Sequence, residues 1–295
     1  MNTLIIKLGA TGDVVRTTPL LRRLKGRVTW ITSSRNRPLL HGLNSSSVEL
    51  RVLTFEERAR IGGESFELTI SLEDDAETAT VLESVRSAQV FGAYPDKKGG
   101  LRYTDAARPW FDMSLISVHG RKQADALKLR NRRTYQEMVF AGLGLGFCGE
   151  GYLLPATAAS PLQGDVAIAP EAGGVWPMKR WAYFDRLKTE LEALGLKVNV
   201  LPTRPTLLAH LADVRAHRCV VSGDSLPMHL AMGSGIKCVA LFNCTSPWEI
   251  FDYGLLRKVV SPLLEEFFYR RDFDPRATTA IRFEEVREAV LTQLR

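Results

Sequence analysis

The chain has 295 residues, which favours two domains, although a single α/β barrel would also account for this length. Hydrophobic residues make up 45% and charged residues 24%, a balance typical of globular proteins that excludes an intrinsically disordered chain. The net charge of +6 suits an anionic ligand, a nucleic acid or an anionic membrane surface. Apolar runs stay below the 18 residues of a membrane span and the N-terminus lacks a signal-peptide pattern, so we expect a cytoplasmic protein.

The first half begins with an apolar strand over residues 3–8, a glycine-containing loop over 9–13 and a helix over about 14–24. Further strands are predicted over 28–32, 68–72 and 88–91, and a helix over about 135–145. The dense basic stretch from Arg121 to Arg133 is interpreted as a solvated surface, with contact to an anionic acceptor or a membrane as the alternative.

A segment rich in glycine, proline and small residues spans positions 142–161 and is typical of a linker. It predicts an N-terminal Rossmann-like domain over 1–155 and a C-terminal one over 156–295. In the second half, strands over 166–169, 198–201, 219–222 and 238–242 alternate with helices that include 180–194 and 283–294. Such alternation implies a parallel sheet covered on both faces. The last helix packs on its own domain or, alternatively, back on the first one.

The four cysteines have no CxxC spacing and no histidines at metal-ligand intervals. The pattern therefore predicts reduced, mostly buried thiols, with neither a disulfide framework nor a metal site.

Parallel sheets bind ligands beyond the carboxyl ends of their strands, so the loops after strands are the candidate sites. The loop from Gly9 through Gly12 to Asp13 follows the first strand directly. Asp13 is interpreted as either a helix N-cap or a carboxylate that takes a proton from an attacking hydroxyl.

The loop over 170–181 contains Glu171, Gly173, Gly174, Trp176 and Lys179. Lys179 is expected at the start of the next helix, where a cation is unfavourable because it opposes the helix dipole. A lysine at such a position indicates an anionic ligand. A solvated surface lysine is the alternative. Trp176 either stacks on a base or packs within the protein.

The segment from Ser222 to His229 again predicts the end of a strand, a tight loop and the start of a helix. Free N–H groups at a helix start can bind an anion such as a pyrophosphate. Asp224 or Ser225 would be the N-cap with or without a ligand. His229 either touches substrate or is an ordinary packed residue. A fourth polar loop covers residues 243–248.

These loops resemble those of glycosyltransferase family 9, the heptosyltransferases of the lipopolysaccharide inner core. The resemblance rests on residues 5–14 (IIKLGATGDV) with Thr18 and Pro19, on Lys179-Arg180-Trp181, and on residues 221–231 followed by 235–242. Residues 66–68 with Leu72 and Glu73 are similar to the family's third strand. The pieces span nearly the whole chain.

The resemblance implies an α/β protein of the GT-B fold, with two Rossmann-like domains whose mainly parallel sheets face each other across a cleft. It implies an inverting glycosyltransferase that uses no metal and no cofactor. Asp13 in the Gly12-Asp13 motif would be the general base, Lys179 would contact the donor phosphates, and the loop containing Asp224, Ser225 and His229 would hold the departing diphosphate.

The implied partners are a nucleotide-sugar donor, ADP-heptose, and a saccharide or small-molecule acceptor, in lipopolysaccharide or specialised-metabolite biosynthesis. A monomer that makes peripheral contact with the inner membrane surface and binds no nucleic acid is expected. Glu171 is an unexpected carboxylate close to the expected diphosphate.

The alternative function is a non-catalytic nucleotide or nucleotide-sugar binding protein of the same fold. An NAD-dependent oxidoreductase is disfavoured, because neither half contains GxGxxG with an acidic residue about twenty positions further on.

Overall fold

The computed structural model describes residues 1–96, 99–171 and 173–295. The chain divides into two compact units, Met1–Pro155 (unit 1) and Ala156–Arg295 (unit 2). The boundary between them falls within the glycine- and proline-rich segment 142–161. In the part of the chain that is described, no helix combines the length and the apolar character needed to cross a bilayer.

Unit 1 is built on a mainly parallel sheet with the strand order β3-β2-β1-β4-β5-β6, in which only β6 pairs antiparallel among the described strands. Its strands are β1 Asn2–Ile6, β2 Gly26–Thr32, β3 Val48–Thr54, β4 Ser65–Ser71, β5 Arg86–Pro95 and β6 Leu101–Tyr103. Its α-helices are α1 Thr11–Thr17, α2 Arg37–Leu40, α3 Ala76–Ala79, α4 Arg108–Phe111, α5 Arg121–Arg130 and α6 Tyr135–Gly142. Short 3-10 helices cover Thr18–Arg22, Phe55–Ile61, Thr80–Ser84 and Asp105–Ala107.

Strand β1 is central and almost wholly buried, as expected for an apolar strand of a parallel sheet. The chain places β2 and β3 on one side of β1 and then returns to its other side with β4. The strand order therefore reverses between β1 and β4, and a crevice at such a reversal is the usual ligand site of an open α/β sheet.

Unit 2 has a parallel sheet with the order β11-β10-β9-β7-β8. Its strands are β7 Gly164–Ala169, β8 Val198–Val200, β9 His217–Gly223, β10 Lys237–Phe242 and β11 Leu256–Val260. Its α-helices are α7 Phe184–Ala193, α8 Leu207–Arg215, α9 Leu226–Gly233, α10 Leu264–Phe267, α11 Pro275–Thr279 and α12 Phe283–Leu294, and a 3-10 turn covers Pro177–Lys179.

The strand order of unit 2 reverses between β7 and β9, since β8 lies on one side of β7 and β9 to β11 lie on the other. Helix α12 packs on this sheet, because Phe283, Val286 and Val290 belong to the same buried cluster as Val221 and Val239.

Helix α1 differs from its predicted bounds at both ends. It begins at Thr11 with Ala10 as the N-cap, so the interpretation of Asp13 as an N-cap is wrong and Asp13 lies in the first turn. It ends at Thr17 because Pro19 has no N–H for the Val15 carbonyl. The hydroxyl of Thr18 donates to that carbonyl instead, at 2.7 Å.

The predicted start of the helix over 180–194 is also wrong. Helix α7 begins at Phe184, and Lys179 ends the separate 3-10 turn. The helix-dipole argument for Lys179 therefore does not apply. Leu194 is 51% exposed, so the apolar face of this helix ends at Leu191.

Candidate active site

Asp13 lies just beyond the carboxyl end of β1, at the strand reversal of unit 1. Its backbone N–H donates to the Ala10 carbonyl at 2.8 Å, and its side chain is 34% exposed. Gly12, half-buried, precedes it in the first turn of α1. A carboxylate in this turn is stabilised by the helix dipole. Asp13 is thus both held in place and accessible.

Arg16 forms an ion pair with Asp13, at 2.9 Å between Nε and Oδ1. The Arg16 side chain is only 9% exposed. Its guanidinium lies over the ring of Tyr135 at 4.3 Å and over that of Trp110 at 5.2 Å. The candidate base is therefore accompanied by a buried cation.

A second buried ion pair lies beneath the same loop. Lys7 Nζ is 2.9 Å from Glu73 Oε1, with side chains 9% and 13% exposed. That carboxylate oxygen also accepts from the backbone N–H groups of Leu8 and Gly9, at 2.7 and 3.2 Å. Glu73 follows β4, so one carboxylate ties the two loops that flank the reversal.

The surroundings of Lys7 keep its ammonium charged. Burial opposes protonation, but the negative charges of Glu73 and Asp13 outweigh burial and raise the pKa of Lys7. Burial raises the pKa of the Tyr135 phenol, which remains neutral. Asp13 is therefore close to two permanent cations, Lys7 and Arg16.

In unit 2, Lys179 and Asp224 come together at the strand reversal between β7 and β9. Lys179 Nζ donates to the Asp224 backbone carbonyl at 2.6 Å and to its carboxylate at 3.1 Å. The two side chains are 15% and 16% exposed. Two of the predicted binding residues are thus in direct contact.

Asp224 is ionised in this setting. Burial opposes its ionisation, but the positive charge of Lys179, the electrostatic interaction with His229 and the hydrogen bond from Lys179 lower its pKa to about 2. His229 is 4% exposed on α9, so it faces the interior near Asp224 rather than solvent.

Gly223 permits this arrangement. A Cβ added there would lie 2.7 Å from the Lys179 carbonyl oxygen, closer than real side chains come. The absence of a side chain lets the 3-10 turn with Lys179 approach the end of β9. The tight loop predicted at Ser222–Ser225 therefore has a specific packing reason.

Ser225 is the N-cap of α9, and its hydroxyl donates to the Gly223 carbonyl at 3.4 Å. Pro227 in the first turn of α9 has no N–H, and the Met228 N–H donates to the Ser225 carbonyl at 3.1 Å, so it is mainly the positive end of the helix dipole that favours an anion here. The anion site at this helix start stays a prediction.

The polar loop after β10 lines the same region. Asn243 donates to the Arg180 carbonyl at 2.8 Å, and burial raises the pKa of the Cys244 thiol to about 11 in the presence of Lys179 and Asp224. Asn243, Cys244, Thr245 and Ser246 are all 2% exposed or less. The buried polar side chains of this loop lie close to the ion pair of Lys179 and Asp224.

Two further side chains of the β7 loop, those of Trp176 and Glu171, have structural partners. Trp176 packs edge-on against Tyr269 at 5.3 Å, with the Arg271 guanidinium 5.3 Å from its ring centre. Glu171, the unexpected carboxylate, is 77% exposed and forms a 3.8 Å ion pair with Arg180. It therefore belongs to the surface.

The cysteines of the described chain are free thiols, with Cys148 exposed and Cys219, Cys238 and Cys244 buried. Across residues 1–96, 99–171 and 173–295, no three or more His, Cys, Asp or Glu side chains gather as a metal site.

Sequence reasoning did not assign roles to Lys7, Arg16, Glu73 or Tyr135. Lys7 and Glu73 lie within the segments that carry the family resemblance, which was the available signal. Arg16 and Tyr135 are more than a hundred positions apart, and nothing local in the sequence indicates that they stack.

The fold resembles three glycosyltransferase structures over nearly the whole chain. The glycosyl transferase family 9 protein from Veillonella parvula gives a TM-score of 0.67 at 15% identity, covering 99% of this chain and 97% of that one. The E. coli heptosyltransferase WaaC with ADP gives 0.61 at 16% identity, covering 99% and 100%. The E. coli ADP-heptose lipopolysaccharide heptosyltransferase II gives 0.62 at 17% identity, covering 100% and 98%.

These likenesses confirm the predicted fold class, an α/β protein with mainly parallel sheets and the GT-B fold. The resemblance to family 9 is confirmed as a resemblance of fold. No family model matches the sequence, and no curated protein matches it.

Proposed function

We propose that this protein is a glycosyltransferase that moves a sugar from a nucleotide-diphosphate donor to a hydroxyl of a saccharide or small-molecule acceptor. The observation that carries the proposal is the placement of complementary charges at both strand reversals. Unit 1 presents the carboxylate of Asp13, and unit 2 presents Lys179 beside the start of α9. Unit 1 would therefore bind the acceptor and unit 2 the donor.

The donor half of the site suits a diphosphate leaving group. When the bond between the anomeric carbon and the phosphate oxygen breaks, its electron pair and negative charge move onto the diphosphate. The ammonium of Lys179 and the positive end of the α9 helix dipole would stabilise this charge. Such electrostatic stabilisation would replace a metal ion, so we propose a metal-independent reaction.

The acceptor half suits a general base. Asp13 would take the proton of the acceptor hydroxyl while its oxygen forms a bond to the anomeric carbon. A single displacement of this kind inverts the configuration of the sugar. Its bonds balance, because one C–O bond forms, one breaks, and the proton passes to Asp13.

ADP-heptose is the donor that we propose first. Two structures with this fold are described as a heptosyltransferase with ADP and an ADP-heptose heptosyltransferase of lipopolysaccharide. The net charge of +6 is consistent with an anionic donor.

A thermal-shift titration with ADP, GDP, UDP, CDP, dTDP and NAD tests the nucleotide, because a ligand that binds only the folded state raises the melting temperature. We expect ADP to raise it selectively. A selective rise with another diphosphate would replace the donor, and a rise with NAD alone would contradict a glycosyltransferase.

Turnover of ADP-heptose in EDTA tests the reaction itself, with a heptose-deficient lipopolysaccharide core and small hydroxylated acceptors as substrates. We expect ADP release, a product of inverted anomeric configuration, and no loss of activity on chelation. ADP binding without turnover on any acceptor would favour the non-catalytic nucleotide-binding alternative.

A further inference from the structure

Arg16 is built into unit 1 more firmly than an ordinary helix-surface arginine. Exposed ion pairs three or four residues apart contribute little to stability, because both side chains are solvated and mobile. The Arg16 side chain is instead 9% exposed, and its guanidinium lies over the rings of Tyr135 and Trp110. A guanidinium held against aromatic faces gains cation–π attraction and loses the freedom to turn away.

The rings that hold Arg16 are themselves fixed. The hydroxyl of Tyr135 is 2.8 Å from that of Thr17, one residue after Arg16. Trp110 meets Tyr135 edge-on, with ring centres 4.8 Å apart. The Gln136 amide also donates to the Arg16 backbone carbonyl at 2.9 Å. Residues of α1, α4 and α6 therefore immobilise one guanidinium.

The charged groups around Asp13 come from several elements. Arg16 is in direct contact, and Lys7 of β1, itself paired with Glu73, also interacts with the Asp13 charge. Tyr135 of α6 is neutral, and Lys128 of α5 lies 5.6 Å from the Trp110 ring centre. Among these groups, Arg16 forms an ion pair with the Asp13 carboxylate at 2.9 Å.

We propose that Arg16 is a positioning residue that orients the Asp13 carboxylate and keeps it ionised well below neutral pH. The inference deepens the proposed function, in which Asp13 is the base. A base that must point at one acceptor hydroxyl gains from a fixed partner, since misorientation slows proton transfer. Arg16 also disfavours protonated Asp13, so the proton passes from the carboxyl to solvent after each turnover.

The direct test is the titration of Asp13 by ¹³C NMR of its carboxyl carbon, assigned by the signal lost in Asp13→Asn. In Arg16→Gln we expect the Asp13 midpoint to rise by about one pH unit or more, as for a carboxylate that loses a contacting cation. Arg16→Lys keeps the charge but not the planar stacking. The Asp13 midpoint in this variant should lie between those of wild type and Arg16→Gln. Equal midpoints in wild type and Arg16→Gln would overturn the proposal.

Arg58→Gln is the matched control, because Arg58 stacks on Phe55 at 4.1 Å and also donates to that residue's carbonyl. It should leave the Asp13 midpoint unchanged, and a rise equal to that of Arg16→Gln would contradict a specific role.

If Arg16→Gln does not fold, Trp110→Leu removes one ring and keeps the charge. The Asp13 midpoint should then rise. An unchanged midpoint would show that the aromatic rings do not hold Arg16 in its contact with Asp13.

The NMR titration needs neither donor nor acceptor, so its failure is distinguishable from failure of the proposed function. Once turnover is established, kcat/KM can be measured against pH. The acid limb of this profile should move to higher pH in Arg16→Gln, by as many pH units as the Asp13 midpoint. A purely structural role for Arg16 would lower the rate without moving the limb.

Discussion

Lys179 donates to both the backbone carbonyl and the carboxylate of Asp224, at 2.6 and 3.1 Å, although the two residues are 45 positions apart. The contact joins the loops that follow β7 and β9, the two strands between which the order of the second sheet reverses. The carboxylate orients the ammonium and partly neutralises it. A diphosphate would therefore meet an aligned cation beside the start of α9.

Replacing Lys179 with alanine should weaken ADP binding. A charge-assisted hydrogen bond contributes about 1.5–3 kcal/mol, which corresponds to roughly a ten- to hundredfold increase in Kd. The ionised Asp224 left behind would repel the diphosphate further. Isothermal titration calorimetry with ADP measures the change.

Lys188→Ala is the control for charge, since Lys188 forms a surface pair with Glu192 on α7. It should bind ADP like the wild type. The double variant Lys179→Ala/Asp224→Asn should recover part of the lost affinity. If Lys179→Ala bound ADP with wild-type affinity, Lys179 would have only a structural role.

Gly223→Ala should disturb the Lys179 turn. The added Cβ would lie 2.7 Å from the Lys179 carbonyl oxygen, so the turn must shift, at a cost of about 1–3 kcal/mol in the free energy of unfolding. We expect a lower melting temperature and weaker ADP binding. Gly174→Ala is the matched control, because a Cβ there meets no described atom within 4 Å; equal losses in both variants would contradict the packing argument.

The ionisation of Asp224 predicts a pH-dependent contribution to stability. Its pKa in the folded protein, about 2, is below the ordinary value of 3.8. Ionised Asp224 therefore stabilises the fold above about pH 4, and this stabilisation is lost as the pH falls toward 2, an effect of about 2 kcal/mol.

Denaturant unfolding of wild type and Asp224→Asn between pH 2 and 6 measures this contribution. The difference between their free energies of unfolding should shrink as the pH falls. Asp185→Asn, which alters an exposed aspartate of α7, should show no such trend. A constant difference between wild type and Asp224→Asn would refute the pairing.

Glu73→Gln should destabilise unit 1. Removing one partner of a buried ion pair leaves the Lys7 ammonium without its contacting carboxylate, and such a loss typically costs about 3–5 kcal/mol. Glu67→Gln is the control, since the Glu67 side chain is 66% exposed. Chemical denaturation distinguishes the two, and an equally small loss in both would show that Lys7 finds another partner.

The alternation of apolar strands and helices was enough to predict parallel α/β sheets, because buried parallel strands are recognisable as short apolar runs. The GT-B fold itself was implied by the family resemblance. Strand β3 was missed, since Glu49 and Arg51 interrupt its apolar pattern at the edge of the sheet. Strand β11, also at an edge, contains Arg257 and Lys258 and was missed for the same reason.

Asp13, Lys179 and Asp224 were predicted as site residues because they follow strands, where ligands bind in open α/β sheets, and their roles stay predictions. The contact of Lys179 with Asp224 depends on the strand order, which places β9 next to β7 and is not encoded locally. The placement of Arg16 against Trp110 and Tyr135 likewise depends on packing between distant segments.

The central claim is sugar transfer with Asp13 as the base, and ADP release from ADP-heptose in EDTA tests it most directly. The enzymes to compare are wild type, Asp13→Asn and Asp105→Asn, the last altering a 95% exposed aspartate. With a heptose-deficient core as acceptor, we predict release by wild type and Asp105→Asn, and release slower by about two orders of magnitude or more in Asp13→Asn with unchanged ADP affinity. Release by Asp13→Asn at the wild-type rate would contradict the account.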